Sequence, residues 1–363
     1  MNQIQSIQFL KRKGFFDLVS DYVPILKRIL KGALDLKKGD HLMLVGDSGF
    51  EENTIAPMVT AGYYLSALKL GIRPILMVDE VGIGKKPPSE DLQTALKLLP
   101  DKSIVMLNLS DRLGTLSTIG QSFRRFCSTK GHRFTTTSSL GYISLKYFPY
   151  LLNALDVDYP KMRLKHNKLR DILNCSETVR ITSKAGTDII ADKSNSFAIS
   201  SDGMYEKVGL GGNLPGGEVF FAPNKDKVDG IVVIDGSSRF VSGVNLIKSK
   251  SEQIKIKISK GSVLSISGGK AAHDLYDCLK KKENSKQGHF GINKIGEIGI
   301  GLNPSAKIIG TTIIDEKVLG TAHIALGSNY WFSGRVFASI HLDQVFRDIT
   351  LYCDGKKIDV FNL

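Results

Sequence analysis

The apolar residues of this chain follow two different periodicities, and the change from one to the other comes near Cys175. Before that point, helical spacing alternates with short apolar runs bounded by turn residues, such as HLMLVGD, RPILMVD and SIVMLNL. Runs of this kind are typical of strands that are buried on both faces of a parallel sheet. The first half therefore predicts an open, mostly parallel α/β sheet.

Short strands dominate the second half, where Gly, Asn and Asp separate the apolar runs. The run IKIKI at 254–258 alternates strictly, which predicts a strand with one buried face and one face in water. One clear helix, over 270–284, interrupts these strands. The predicted fold class is thus α/β followed by β. We expect a flavodoxin-like N-terminal domain over 1–172, as scaffold or dimer contact, and a mainly antiparallel domain with one or two helices over 173–363.

Composition and charge exclude several classes of protein. The sequence is 42% hydrophobic and 23% charged, as in globular proteins, and none of its apolar runs has the length of a membrane span. The start of the chain predicts no secretory signal, and four scattered cysteines without a CxxC pair predict a reduced, cytoplasmic protein. The net charge of +13 is spread along the chain without a nucleic-acid-binding motif, so we expect a solvated basic surface and no nucleic-acid partner.

Metal-binding side chains are gathered near the C-terminal end, each in a short strand-like run: Glu297, His323, His341 and Asp343. Period-two spacing places Glu297, Gly299 and Gly301 on one face of a strand, where bare glycines leave room for a close approach. His341 and Asp343 likewise share one face. Carboxylates and imidazoles in this pattern predict a metal site in the β-rich domain. The remaining histidines have charged or helical surroundings and are predicted to lie at the surface: His132, His166, His273 and His289.

Five motifs, in this order, resemble those of the M29 family of metallo-aminopeptidases, the thermophilic or aminopeptidase T family: LPGGEVFFAP, IGEIGIGLNP, IIDEK, GTAHIALGSNY and HLD. The resemblance extends over residues 213–343. It implies five ligands of a two-metal site, namely Glu218, Glu297, His323, His341 and Asp343, and two divalent ions of zinc, cobalt or manganese. It also matches Glu297 and Tyr330 to the family's catalytic residues, and Glu316 to an acidic position near the metals.

The leading expectation from this resemblance is a cytoplasmic metalloprotease, a hydrolase that removes N-terminal residues from short peptides through a metal-activated water. Glu297 would act as general base, and the phenol of Tyr330 would donate a hydrogen bond to the oxyanion. The resemblance also implies a homodimer.

Two alternatives remain open at this stage. Two imidazoles and one carboxylate, here His323, His341 and Asp343, also form the facial triad of mononuclear iron(II) oxygenases. The pyridine-ring-cleaving dioxygenases are similar to the M29 family in fold, so a dioxygenase is the first alternative. The discriminating feature is whether Glu218 and Glu297 are ligands, because five ligands indicate two metals and three indicate one iron. A non-catalytic binding or scaffold protein is the second alternative.

Overall fold

The structure is a computed structural model that describes residues 1–83, 86–120, 122–284, 291–332 and 334–363. In chain order the helices are α1 (Gln3–Arg12), α2 (Phe15–Leu18), α3 (Val23–Leu34), α4 (Ile55–Lys69), α5 (Glu90–Leu98), α6 (Phe123–Thr129), α7 (Phe148–Leu155), α8 (Tyr159–Asn174), α9 (Lys270–Glu283) and α10 (Thr312–Asp315). None of the described helices is long and apolar enough to cross a membrane.

The strands, again in chain order, are β1 (Leu42–Asp47), β2 (Ile75–Asp79), β3 (Ile104–Asn108), β4 (Arg133–Thr137), β5 (Thr178–Ser183), β6 (Asp188–Asp192), β7 (Ile199–Ser201), β8 (Gly211–Asn213), β9 (Glu218–Phe221), β10 (Val228–Ile234), β11 (Ser237–Phe240), β12 (Gly243–Leu246), β13 (Ile254–Ser259), β14 (Ser262–Gly268), β15 (Ile295–Gly301), β16 (Ala322–Gly327), β17 (His341–Phe346), β18 (Ile349–Cys353) and β19 (Lys356–Ile358).

One compact unit comprises Met1–Pro160 and Gly203–Gly216. Its sheet has the strand order β2-β1-β3-β4-β8, and each neighbouring pair is parallel. Helix α4 packs on β1 and β3, and strands β1 and β3 are buried along their whole lengths. The parallel sheet expected from the first half is therefore confirmed. The sequence pattern also predicts a helix over 121–127, which is observed as α6; Gln121 lies outside the described residues.

The second unit comprises Lys161–Asp202 and Gly217–Leu363. It contains two antiparallel sheets, with the orders β14-β13-β10-β6-β5-β18-β19 and β12-β11-β17-β16-β15-β9-β7. Apolar side chains from both sheets share one core, which includes Ile181, Ile256, Ile298 and Ile324. Alternate residues of β13 are buried and exposed, as its sequence predicts. The expectation of a β-rich second half is confirmed, while the domain boundary at residue 172 stays a prediction.

Two of the histidines predicted to lie at the surface are fully buried, so that prediction was wrong for His132 and His166. His166 lies on α8 one turn after Met162, whose carbonyl contacts its Nδ1 at 2.7 Å. The charged neighbours that suggested exposure occupy other faces of the same helix, because a helix turns successive side chains away from one another. His273 is exposed, and His289 lies outside the described residues.

Candidate metal centre

Four neighbouring strands, β9, β15, β16 and β17, carry the predicted metal ligands on one face of their sheet. Ala325 on β16 lies between Glu297 on β15 and Asp343 on β17, and His323 lies opposite Gly299. Residues in register across antiparallel strands share a face, so these side chains converge. The alternate residues of the same strands, among them Ile298 and Ile324, point into the core. The period-two pattern thus explains how one sheet can present a polar cluster and an apolar core.

The space beside Gly299 of β15 is filled by the imidazole of His323, and the space beside Gly301 by residues that precede β16. A Cβ atom on Gly299 would lie 2.2 Å from Cε1 of His323, and one on Gly301 would lie 2.6 Å from Oγ1 of Thr321. Contacts that short are excluded for real side chains, so β15 needs glycine at both positions. The close approach that the bare glycines predicted is made by β16 at Gly299 and by the segment before β16 at Gly301.

The side chains of all five predicted ligands are gathered in one cluster, and Glu297 lies between its two imidazoles. Nε2 of His323 is 3.2 Å from Oε1 of Glu297 and 3.6 Å from Oε2 of Glu218. Nε2 of His341 is 3.1 Å from Oδ1 of Asp343 and 3.5 Å from Oε2 of Glu297. His323 is fully buried and the three carboxylates are nearly so. Such an arrangement places imidazole nitrogens and carboxylate oxygens around a shared space.

The carboxylates dominate the electrostatics of this cluster. Burial alone would lower the pKa of His323, but the hydrogen bond to Glu297 and the charge of Glu218 raise it to about 9. Burial acts in the same sense on His341, and the charge of Asp343 raises its pKa to about 10. Burial would raise the pKa of Asp343, yet His341 holds it well below its usual range. The cluster therefore stabilises positive charge, as a cation-binding site must.

The donor set fits a metal ion. Two groups of three residues have donor atoms within 4.8 Å of one another: Glu218 with Glu297 and His323, and Glu316 with His323 and Asp343. Oε2 of Glu218 is buried and lacks a hydrogen-bond partner within the part of the chain that the structure describes. A buried carboxylate oxygen without a donor is costly unless a cation meets it.

The orientation of His341 also fits a ligand role. Its Nδ1–H donates to the main-chain carbonyl of Ser328 at 2.8 Å, so Nε2 is the nitrogen that faces Glu297 and Asp343. Metal-binding histidines are commonly fixed by a second hydrogen bond of this type. One nitrogen of His341 thus orients the ring, and the other faces the carboxylates of the cluster.

Sequence reasoning missed Lys317, which is fully buried beside the cluster. Its Nζ forms ion pairs with Glu218 and, at 2.5 Å, with Glu316. Glu316, the acidic position that the resemblance placed near the metals, contacts the same ammonium. The only signal in the sequence was a lysine directly after two acidic residues in IIDEK, and the same pattern is typical of an exposed turn.

Aromatic side chains follow β16 and border the cluster. The ring of Trp331 meets the imidazole of His341 edge-on at 4.9 Å between centroids, and Phe332 lies 6.5 Å from the same imidazole. Tyr330 is largely exposed, and its ring packs against Phe337 at 5.5 Å. The catalytic role of Tyr330 stays a prediction, as do the individual ligand roles.

Comparison with known proteins distinguishes between the two reactions expected from the sequence, peptide hydrolysis and ring cleavage by dioxygen. The model of the NicX family, described as 2,5-dihydroxypyridine 5,6-dioxygenase, matches residues 153–360. A 2,5-dihydroxypyridine 5,6-dioxygenase of Pseudomonas putida KT2440 is 26% identical over 196 residues, which are 52% of this chain and 54% of that relative. The alignment thus spans about half the length of each protein.

Solved structures resemble the whole fold. The 2,5-dihydroxypyridine dioxygenase from Pseudomonas putida KT2440 matches with a TM-score of 0.70 and 18% identity, covering 93% of this chain and 94% of that one. AmpT from Thermus thermophilus matches with a TM-score of 0.64 and 14% identity, covering 94% and 97%. At these identities the likeness is one of fold alone, and it supports the fold that the M29 resemblance implied.

The expected metallo-aminopeptidase is wrong. Both the matching family and the curated relative are named for a dioxygenase, which is an oxidoreductase and not a hydrolase. The comparisons also lend no support to a pair of zinc, cobalt or manganese ions. The physical reason for the error is that Glu297, His323, His341 and Asp343 are donors suited to either kind of metal site, so the ligand pattern indicated a metal without fixing its reaction.

Proposed function

This chain belongs to the NicX family of 2,5-dihydroxypyridine 5,6-dioxygenases, and from that membership we propose that it is a mononuclear iron(II) dioxygenase that opens a hydroxylated nitrogen-containing aromatic ring. The observation that carries the proposal is the placement of His323 on β16 beside His341 and Asp343 on β17. Two imidazoles and one carboxylate are the ligand set of non-haem iron(II) oxygenases. Bound ferrous iron would supply the one-electron chemistry through which dioxygen reacts with an aromatic ring.

Glu297 is the carboxylate that we assign to proton transfer. It lies within 3.5 Å of Nε2 of both imidazoles, so a ring hydroxyl bound beside them would be within its reach. Lys317 pairs with Glu218 and Glu316, and Glu297 is outside that ion pair. This leaves Glu297 to accept the proton that a ring hydroxyl loses on binding.

The aromatic residues beside His341 favour a flat, aromatic substrate. Trp331 and Phe332 present ring edges to the imidazole, and Phe332 packs edge-on against Phe220 at 5.3 Å. Stacked and edge-to-face ring contacts add about 0.5–1.5 kcal/mol beyond the apolar area they bury. A planar ring entering beside His341 would gain such contacts, whereas an extended peptide would not.

The test is dioxygen uptake by iron-loaded protein with 2,5-dihydroxypyridine as substrate. Protein loaded with Fe²⁺ under exclusion of air is expected to consume dioxygen only when the substrate is added. His341→Ala should lower this rate at least ~100-fold through loss of a ligand, and exposed His273→Ala should leave it unchanged. Iron-loaded protein that consumes no dioxygen with this substrate or with other hydroxylated pyridines would contradict the proposal.

A further inference from the structure

Lys317 is a fully buried cation whose position is fixed by the main chain on both sides. Its amide donates to the carbonyl of Ile314 at 3.0 Å, and its carbonyl accepts from the amide of Asn303 at 2.7 Å. Burying an ammonium group costs several kcal/mol unless it is paired. Here Nζ contacts one oxygen of Glu218 and one of Glu316. The ammonium is therefore a fixed component of the cluster.

The charge of Lys317 is maintained by its partners. Burial alone would lower its pKa, but the negative charges of Glu218 and Glu316 outweigh burial and raise it. Proton loss from Nζ would leave two buried carboxylates without a counter-charge. Lys317 accordingly acts as a permanent cation within the cluster.

The two carboxylates that Lys317 binds belong to different groups of donors. Glu218 lies with Glu297 and His323, and Glu316 lies with His323 and Asp343. A pair of divalent ions requires several carboxylates between and around them to offset the repulsion of the metals. The ammonium pairs with one oxygen of a carboxylate in each group, so its charge offsets part of the negative charge that a second ion would need.

We propose that Lys317 takes the place of a second metal ion and thereby restricts the cluster to a single divalent cation. Outside the lysine pair, His323, His341 and Asp343 suffice to hold one ion, with Glu297 beside them. The inference deepens the proposed function, since it rests on a mononuclear site. The number of ions that the cluster binds would then depend on Lys317, which is not itself a metal ligand.

Charge balance agrees with a single ion. The cluster contains four carboxylates, those of Glu218, Glu297, Glu316 and Asp343, and one ammonium. One divalent cation would leave a single excess negative charge, whereas a second would make a buried pocket positive. Without the ammonium, two divalent cations would balance the four carboxylates. Lys317 is thus the residue on which the preferred number of metals depends.

The proposal is tested by metal content in Lys317→Met, which removes the charge and keeps most of the side-chain length. Lys193→Met is the matched control, because Lys193 is also fully buried but donates to the carbonyl of Ser196 instead of a carboxylate. Each protein is saturated with Co²⁺ and freed of excess metal, and the cobalt per chain is measured. We expect one ion in the unmodified chain and in the control, and a doubling in Lys317→Met. A folded Lys317→Met that still binds one ion would overturn the proposal.

The unmodified chain provides a test that needs no variant. A titration with Co²⁺, measured by calorimetry, should reach saturation at one ion per chain. Two ions bound with similar affinity would overturn the inference, whether or not Lys317→Met folds. If the proposed function is wrong and the assignment of Lys317 is right, the protein should bind one ion per chain and consume no dioxygen. That outcome leaves the assignment of Lys317 intact.

Discussion

Gly299 shows how one residue without a side chain determines the position of a ligand. The imidazole of His323 occupies the space in which a Cβ on Gly299 would lie, 2.2 Å from Cε1. We predict that Gly299→Ala displaces the imidazole, weakens metal binding at least ~10-fold, and lowers the free energy of unfolding by about 1–3 kcal/mol through overpacking. Calorimetric Co²⁺ titration and thermal unfolding measure the two effects.

Gly243→Ala is the control for this prediction. Gly243 lies on β12 in the same sheet, and its added Cβ would meet the end of the Phe240 ring at 3.1 Å, a side chain that can move. The control should keep its metal affinity and most of its stability. Equal metal affinity in Gly299→Ala and Gly243→Ala would show that the close approach of His323 does not matter for binding.

The segment after β16 links the cluster of predicted metal-binding side chains to the surface. The side-chain amide of Asn329 donates to the carbonyl of Gly296 at 2.7 Å, and its oxygen accepts from the amide of Val336 at 2.8 Å. These bonds tie the segment to β15 and hold Trp331 against His341. Because the chain contains a single tryptophan, its fluorescence reports on this part of the site.

We predict that Co²⁺ or Fe²⁺ quenches the fluorescence of Trp331 as the site fills. A transition-metal ion bound to His341 would lie next to the indole ring, close enough for efficient quenching. Titration of the metal-free protein should give a saturable decrease, which His341→Ala weakens and exposed His273→Ala does not change. A saturated site with unchanged fluorescence would contradict the placement of Trp331 beside the bound ion.

Helix α8 contributes a separate pH dependence of stability. Burial lowers the pKa of His166 to about 4, whereas an unfolded chain has a histidine pKa of about 6.5. Between these values the unfolded state binds a proton that the folded state excludes, so stability falls as the pH drops through this window. The total loss is about 3 kcal/mol.

The non-titrating variant His166→Gln tests this effect, since its amide can replace the hydrogen bond to the carbonyl of Met162. Urea unfolding at several pH values between neutral and mildly acidic should show a flatter decline for His166→Gln than for the unmodified chain. Exposed His273→Gln should follow the unmodified chain. Parallel curves for all three proteins would show that His166 does not contribute to acid sensitivity.

At the scale of the whole molecule, the periodicity of the sequence was sufficient to predict the parallel sheet, the β-rich half and the strand faces that carry Glu297, His323, His341 and Asp343. It did not predict β8, because three residues, Gly211 to Asn213, are too few and too rich in glycine to show a period. The burial of Lys317 and His166 was also out of reach, since depth depends on contacts with residues far away in the sequence.

The fold does not determine which reaction the protein catalyses. Both a dioxygenase and AmpT share the overall fold with this chain, at TM-scores of 0.70 and 0.64. Folds of this kind carry different chemistries on similar sites, so metal ligands alone do not identify a reaction.

We propose that this chain inserts both atoms of dioxygen into an aromatic ring, and isotope labelling tests this reaction. Iron-loaded protein is incubated with 2,5-dihydroxypyridine under isotopically labelled dioxygen in ordinary water, and the product is analysed by mass spectrometry. We predict a ring-opened product that carries both labelled oxygen atoms. A product that takes its oxygen from water, or an unchanged substrate with iron bound, would contradict the account.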